Sequence, residues 1–191
     1  MAELNPEQWA EVERLFKCAA ELQPKAWELR KSLLGPEDPA TLADEAALAG
    51  VLDGTDRYDE SEPMYHHVLS EFEKIYGPSH YEIAVNLHNL AGVQCARGRM
   101  EEAEQTYRRD MVLKESLLEA HNPDTALTAH NLGVLLMDMG RHNEGAELIE
   151  GAWRVFEATL GPDHPHTKMA SQNRTTAVNI FAPSGTQVYI K

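Results

Sequence analysis

Asn89, Asn131 and Asn173 stand 42 residues apart. Each carboxamide carries two donors and a carbonyl acceptor, the complement of the N–H and C=O groups that alternate along an extended peptide. Set in a row at helix-packing distances of roughly 10 Å, three such side chains would meet a strand at about every third residue and hold it with little regard to its sequence. The competing use is internal: each Asn bonds a neighbouring helix and only orders a stack. A shared groove decides between the two.

The other polar side chains offer less chemistry. Nine histidines raise the question of a metal. His66 and His67 are adjacent, so on a helix they splay by about 100°, and His164-x-His166 falls in a break between periodic segments. His88 and His130 share the 42-residue register, but no i, i+4 His pair and no HExxH occurs, so no metal site is expected. Cys18 and Cys95 are too few and too far apart for a disulfide framework or a thiolate zinc site, and Cys95 reads as a small apolar residue. There is no nucleophile elbow, phosphate loop, dinucleotide fingerprint or marked pair of acids. The chain is therefore expected to have no catalytic residue and no cofactor, and to act by binding.

Composition narrows the partner. With 42% hydrophobic and 25% charged residues in 191, the chain has the make-up of one globular domain or one short repeat array. The net charge is −14, and residues 35–76 alone hold eleven Asp or Glu against two Lys or Arg. Such a field repels phosphate backbones, so nucleic acid is not expected, and a neutral to basic protein or peptide is the easier partner. No stretch approaches the roughly 18 apolar residues of a membrane span, and the start has no basic segment followed by an apolar run. With two free thiols, this points to a cytoplasmic protein that does not enter a membrane.

The elements that would position the asparagines follow from the repeat. Shifted by 42 positions without a gap, Leu34-Gly35-Pro36-Glu37-Asp38-Pro39 falls on Tyr76-Gly77-Pro78-Ser79-His80-Tyr81, on Leu118-Glu119-Ala120-His121-Asn122-Pro123 and on Leu160-Gly161-Pro162-Asp163-His164-Pro165. The same shift superposes Leu48, Leu90 and Leu132, then Arg57, Arg99 and Arg141, then Glu60, Glu102 and Glu144. Within a unit, Ile83, Leu87, Leu90 and Ala91 lie on one helical stripe and Met100, Ala103, Tyr107 and Met111 on a second. Gly98 and Gly140 fall in the break between the two helices, where a left-handed residue ends the first. Gly77-Pro78 and Gly161-Pro162 stop the second helix, and an Asp, His or Asn just beyond opens the next unit. A helical hairpin of this kind cannot bury its apolar stripe alone, so the units must stack.

"NLHNLAGVQCARGRMEEAEQTY" and "TAHNLGVLLMDMGRHNEGAELI" resemble tetratricopeptide repeats (TPR), specifically the 42-residue kind of kinesin light chains and many bacterial proteins. Leu90, Ala91, Gly98, Ala103 and Tyr107 occupy that repeat's leucine, small, glycine, alanine and aromatic positions, and the LGPxHPxT linker is typical of it. The resemblance implies an all-α fold: a right-handed α-solenoid of about three hairpins, residues 35–76, 77–118 and 119–160, with N- and C-terminal capping helices. The repeat block would span 35–163. Residues 1–34 would form the N-terminal cap, with Asn5 and Pro6 opening a helix that carries Trp9, Val12, Leu15, Phe16 and Leu22. Pro24 would break that helix, and Trp27, Leu29, Leu33 and Leu34 would then lie on the first repeat. Residues 164–180 would form the C-terminal cap and 181–191 a tail with a strand-like Val188-Tyr189-Ile190. Asp56 replaces the turn glycine in repeat one, Ser61 and Gly145 replace the helix-packing alanine in repeats one and three, and less regular packing is expected there.

In this family the first helix of each unit lines a concave face. Carried over, the peptide-binding residues are Asn89, Asn131 and Asn173, with His88 and His130 beside two of them, and Val85, Leu127 and Met169 one turn earlier. Ala46 and Ala47 break the series in repeat one, and the scarcity of Lys and Arg speaks against a carboxylate clamp. The resemblance thus implies a scaffold holding an extended segment of a partner. Two alternatives stay open: a structural scaffold or homo-oligomer joined through its end helices or tail, with a self-occupied groove, and an accessory regulatory subunit or small-molecule sensor.

Overall fold

A computed structural model describes residues 21–181, with side chains up to Arg174, and among these residues every element is a helix. They are α1 (residues 21–34), α2 (Pro39–Asp53), α3 (Tyr58–Tyr76), α4 (Tyr81–Ala96), α5 (Met100–Leu117), α6 (Pro123–Asp138), α7 (His142–Leu160) and α8 (Pro165–Phe181). Trp9, Val12, Leu15, Phe16 and the tail lie outside the described residues. The chain divides into two compact units, Met1–Arg99 and Met100–Lys191.

One capping device opens four of the helices, and it repeats with the 42-residue period. The Asp38 carboxylate accepts from the Ala40 N–H at 2.9 Å, and the Asn122 carbonyl accepts from the Asp124 N–H at 2.9 Å. His80 Nδ1 accepts from Glu82 N–H and His164 Nδ1 from His166 N–H, each at 3.2 Å. Pro39, Pro123 and Pro165 follow three of these caps, where a missing N–H costs nothing. Two of the nine histidines are thereby helix caps.

The hairpin turns are equally regular. Gly98 and Gly140 adopt φ of 74° and 79°, and Asp56 reaches the same left-handed region at φ 59°. Aspartate tolerates that conformation better than most residues, and its carboxylate accepts a 2.5 Å bond from the Tyr58 hydroxyl. The substitution therefore preserves the turn. The linker into α6 is the exception: it has no glycine, and its left-handed residue is His121 at φ 65°.

In the first unit α3 packs between α2 and α4, burying Leu42, Leu48, Tyr65, Phe72, Ile83, Leu87 and Leu90. Two expectations fail here. Residues 21–34 form one helix running through Pro24. The only bond that proline forfeits would go to the carbonyl of residue 20, so the described turns remain intact. Leu29, Leu33 and Leu34 do not lie on the first repeat either, being 61%, 71% and 57% exposed. α1 is held to it by Arg30, which pairs with Asp44 at 3.1 Å and donates to the Ala40 carbonyl.

In the second unit α6 packs against α5 and α7, and α8 lies on α7 and α6. Leu132, Leu136, Ile149, Ala152, Phe156 and Ala170 form its core. At Gly145 the α6–α7 hairpin packs closely rather than loosely. That glycine faces Gly133, and a Cβ built on Gly145 would stand 2.5 Å from the Gly133 carbonyl oxygen. The two glycines let the helix backbones approach more closely than alanine would allow. Between α5 and α6 the buried Lys114 ammonium lies 3.1 Å from both Asp124 and the Thr128 hydroxyl and 3.4 Å from Asp110.

Candidate functional site

The 42-residue register places equivalent positions of α6 and α8 on one face of the second unit. His130, only 2% exposed, sits between the two asparagines. Its Nδ1 lies 3.2 Å from Asn131 Oδ1 and its Nε2 lies 3.1 Å from Asn173 Nδ2. An amide oxygen can only accept and an amide nitrogen can only donate, so the imidazole is neutral, with its proton on Nδ1. Burial lowers the His130 pKa below its ordinary value; the bond to Asn131 opposes this, and His166 adds to the lowering.

Asn131 and Asn173 are half-buried, as are Leu127 and Met169 one turn before them. The inner side of Leu127 rests on the cluster of Ala126, Ala152, Phe156 and Ala170. Leu127 therefore combines a fixed root with a surface left to solvent. The structure brings Asn131, Asn173 and His130 together into one polar row flanked by apolar groups.

In the first unit Val85, His88 and Asn89 occupy the same register on α4 and are likewise half-buried. Asn89 lies beside the Tyr65 hydroxyl, whose pKa is raised by burial and by Asp53 and drawn the other way by Asn89. At the corresponding positions of α2 stand Ala46 and Ala47, and beside them the buried Glu45 is reached by His67 of α3 at 3.0 Å.

Sequence reasoning missed the residues that tie consecutive repeats. Arg99 bonds Glu62, and one period later Arg141 bonds Glu104 at 2.6 Å. In the second unit this grows into a ring in which Arg108 and Arg141 each pair with both Glu104 and Glu144. Burial would raise the Glu104 carboxyl, but its bonds to Arg108 and Arg141 outweigh that and hold it below the usual range. The signal was present, since Glu62 and Glu104 also recur at 42. Asn86 was missed as well: it is buried, and its amide donates to the Glu82 carbonyl at 2.8 Å. Among the described residues no group of three His, Cys, Asp or Glu could hold a metal ion, and no helix is long and apolar enough to cross a membrane.

Two family models, each described as tetratricopeptide repeat, match residues 45–109 and 125–166, which together make up more than half of the chain. Among solved structures, the chain is similar to a Podosopora anserina kinesin light chain-type protein with nearly identical TPR-like repeats. The likeness has a TM-score of 0.71 at 21% identity over 86% of this chain and 78% of that one, and a single-substitution variant of the same protein gives 0.72 at 22%. BtubC (BKLC) from P. vanneervenii is similar over 95% of this chain and 81% of its own, with a TM-score of 0.66 at 18% identity. No curated protein matches.

Proposed function

Starting from the premise that the chain belongs to the tetratricopeptide-repeat family of protein-interaction scaffolds, we propose that it binds an extended peptide segment of a partner protein through the face carrying Asn131 and Asn173. The observation that carries this reading is the imidazole of His130 joining the two amides. It supports their lying on a common surface, as a backbone-reading row requires. The same bonds partly serve the structural use weighed above, because the Asn173 amide nitrogen is spent on His130 across α6 and α8 and Asn131 holds the imidazole from within α6. The Asn173 carbonyl has no partner among the described residues and would accept a peptide N–H.

Leu127 and Met169, each one turn before its asparagine, supply apolar contact beside the row. Val85, His88 and Asn89 occupy the same register in the first unit and give that unit a like face of its own. Acidic surroundings favour a neutral to basic segment, in line with the net charge of −14. Pull-down with the folded wild-type chain beside Asn89→Ala, Asn131→Ala and Asn173→Ala in one variant tests the reading. The expected result is a partner kept by the wild type and lost by the variant. A partner held equally by both would mean that the amides only order the stack.

A further inference from the structure

A cavity of about 680 Å³ lies in the Met100–Lys191 unit, formed by α5, the linker after it, α6 and α7. It uses Thr125, Ala126 and Ala129 of α6, whereas Leu127, His130 and Asn131 belong to the face described above, so the two sites draw on different sides of one helix. Its volume falls in the range of ligand-binding clefts, roughly 300–1,000 Å³.

The repeat itself explains why the cavity is there. In repeat one Glu45 and His67 meet across the hairpin at 3.0 Å. Their counterparts two periods later are Ala129 and Gly151, so two large side chains have become a methyl group and a hydrogen. Both line the cavity, and a Cβ built on Gly151 would meet nothing within 4 Å. Met111, Leu118, Leu148, Ala152 and Val155 supply its apolar wall, and His121, Asn122 and Thr125 add polar groups.

The charged groups around it are one-sided. Glu115, Glu119 and Glu147 all line the cavity and are exposed, and their carboxylates make no ion pair or hydrogen bond among the described residues. The cation beside them, Arg154, is already paired with Glu150 at 3.0 Å. An apolar hollow edged by three uncompensated carboxylates selects an apolar group that brings its own positive charge. We propose that this cavity is a second docking site, which takes a bulky apolar side chain from a partner protein segment carrying Lys or Arg next to it.

The test is selection of a random-peptide display library on the full chain, followed by affinity measurement of the enriched peptides on variants. Gly151→Leu fills the cavity from a helix position with open space and so leaves the fold intact. Glu115→Lys, Glu119→Lys and Glu147→Lys reverse the edge. The expected peptides pair an aromatic or large aliphatic residue with Lys or Arg. They weaken at least about tenfold on either the filled or the reversed variant, and stay within about twofold on Asn131→Ala with Asn173→Ala. Selection of no such peptides, or of peptides whose affinity ignores Gly151→Leu, overturns the proposal. So does binding that appears only after residues 182–191 are deleted, since the occupant would then be the chain's own tail. Loss on the asparagine variant alone would leave the peptide-reading face standing and remove the cavity, so the two readings fail separately.

Discussion

His130 shows how one buried side chain couples stability to acidity. Its neutral ring accepts from Asn173 through Nε2, and protonation would remove that acceptor and place a charge in a buried site. Because burial lowers its folded pKa, the unfolded chain takes up the proton first. Stability is therefore fully present above the unfolded value of about 6.5 and declines as pH falls from there through the lower folded pKa. Urea midpoints compared at pH about 7.5 and 5.5 should drop more for the wild type than for His130→Gln; equal drops would show that this histidine is not the titrating group. Two glycines of α7 give opposite expectations. Gly145→Ala drives a methyl onto the Gly133 carbonyl and should cost about 1–3 kcal/mol, whereas Gly151→Ala enters open space and should gain about 0.5–1 kcal/mol from helix propensity. Denaturant unfolding of the pair checks both signs. The register of Asn131 and Asn173 was legible because it is a property of the period. The burial of His130 was not, since it depends on how closely α8 approaches α6.

At the scale of the element, what could be read was what is local. The caps at Asp38, His80, Asn122 and His164 need only their own first turn, so residue type and position disclosed them. Asn122→Ala should cost about 1 kcal/mol, seen as a shift in thermal midpoint, because α6 begins after a linker with no glycine to share the work. Contacts between elements were harder to read. The leucines of α1 fit a helical stripe, yet the stripe points to solvent while Arg30 makes the attachment. Periodicity identifies an apolar face without saying what covers it. Arg141 is exposed in the ring of Glu104, Arg108, Arg141 and Glu144, and Arg141→Ala should cost less than about 1 kcal/mol at physiological salt. A larger loss in chemical denaturation would mean that the ring, rather than the apolar core, fastens α7 to α5.

For the whole molecule, repetition carries the argument. Two tetratricopeptide-repeat models and the likeness to kinesin light chain-type structures agree with the hairpin pattern read from the 42-residue shift. Departures from that pattern are where the chain becomes particular: Glu45 and His67 close a space in repeat one that Ala129 and Gly151 leave open in repeat three. The asparagine positions, by contrast, are kept in both units, and the account rests on them. Its most direct test is a nuclear magnetic resonance titration of the full chain with a peptide from a partner recovered by pull-down, following side-chain amides and methyl groups. The account predicts that the largest shifts fall on the Asn131 and Asn173 amides and the Leu127 and Met169 side chains. A peptide that binds while these signals stay in place would contradict it.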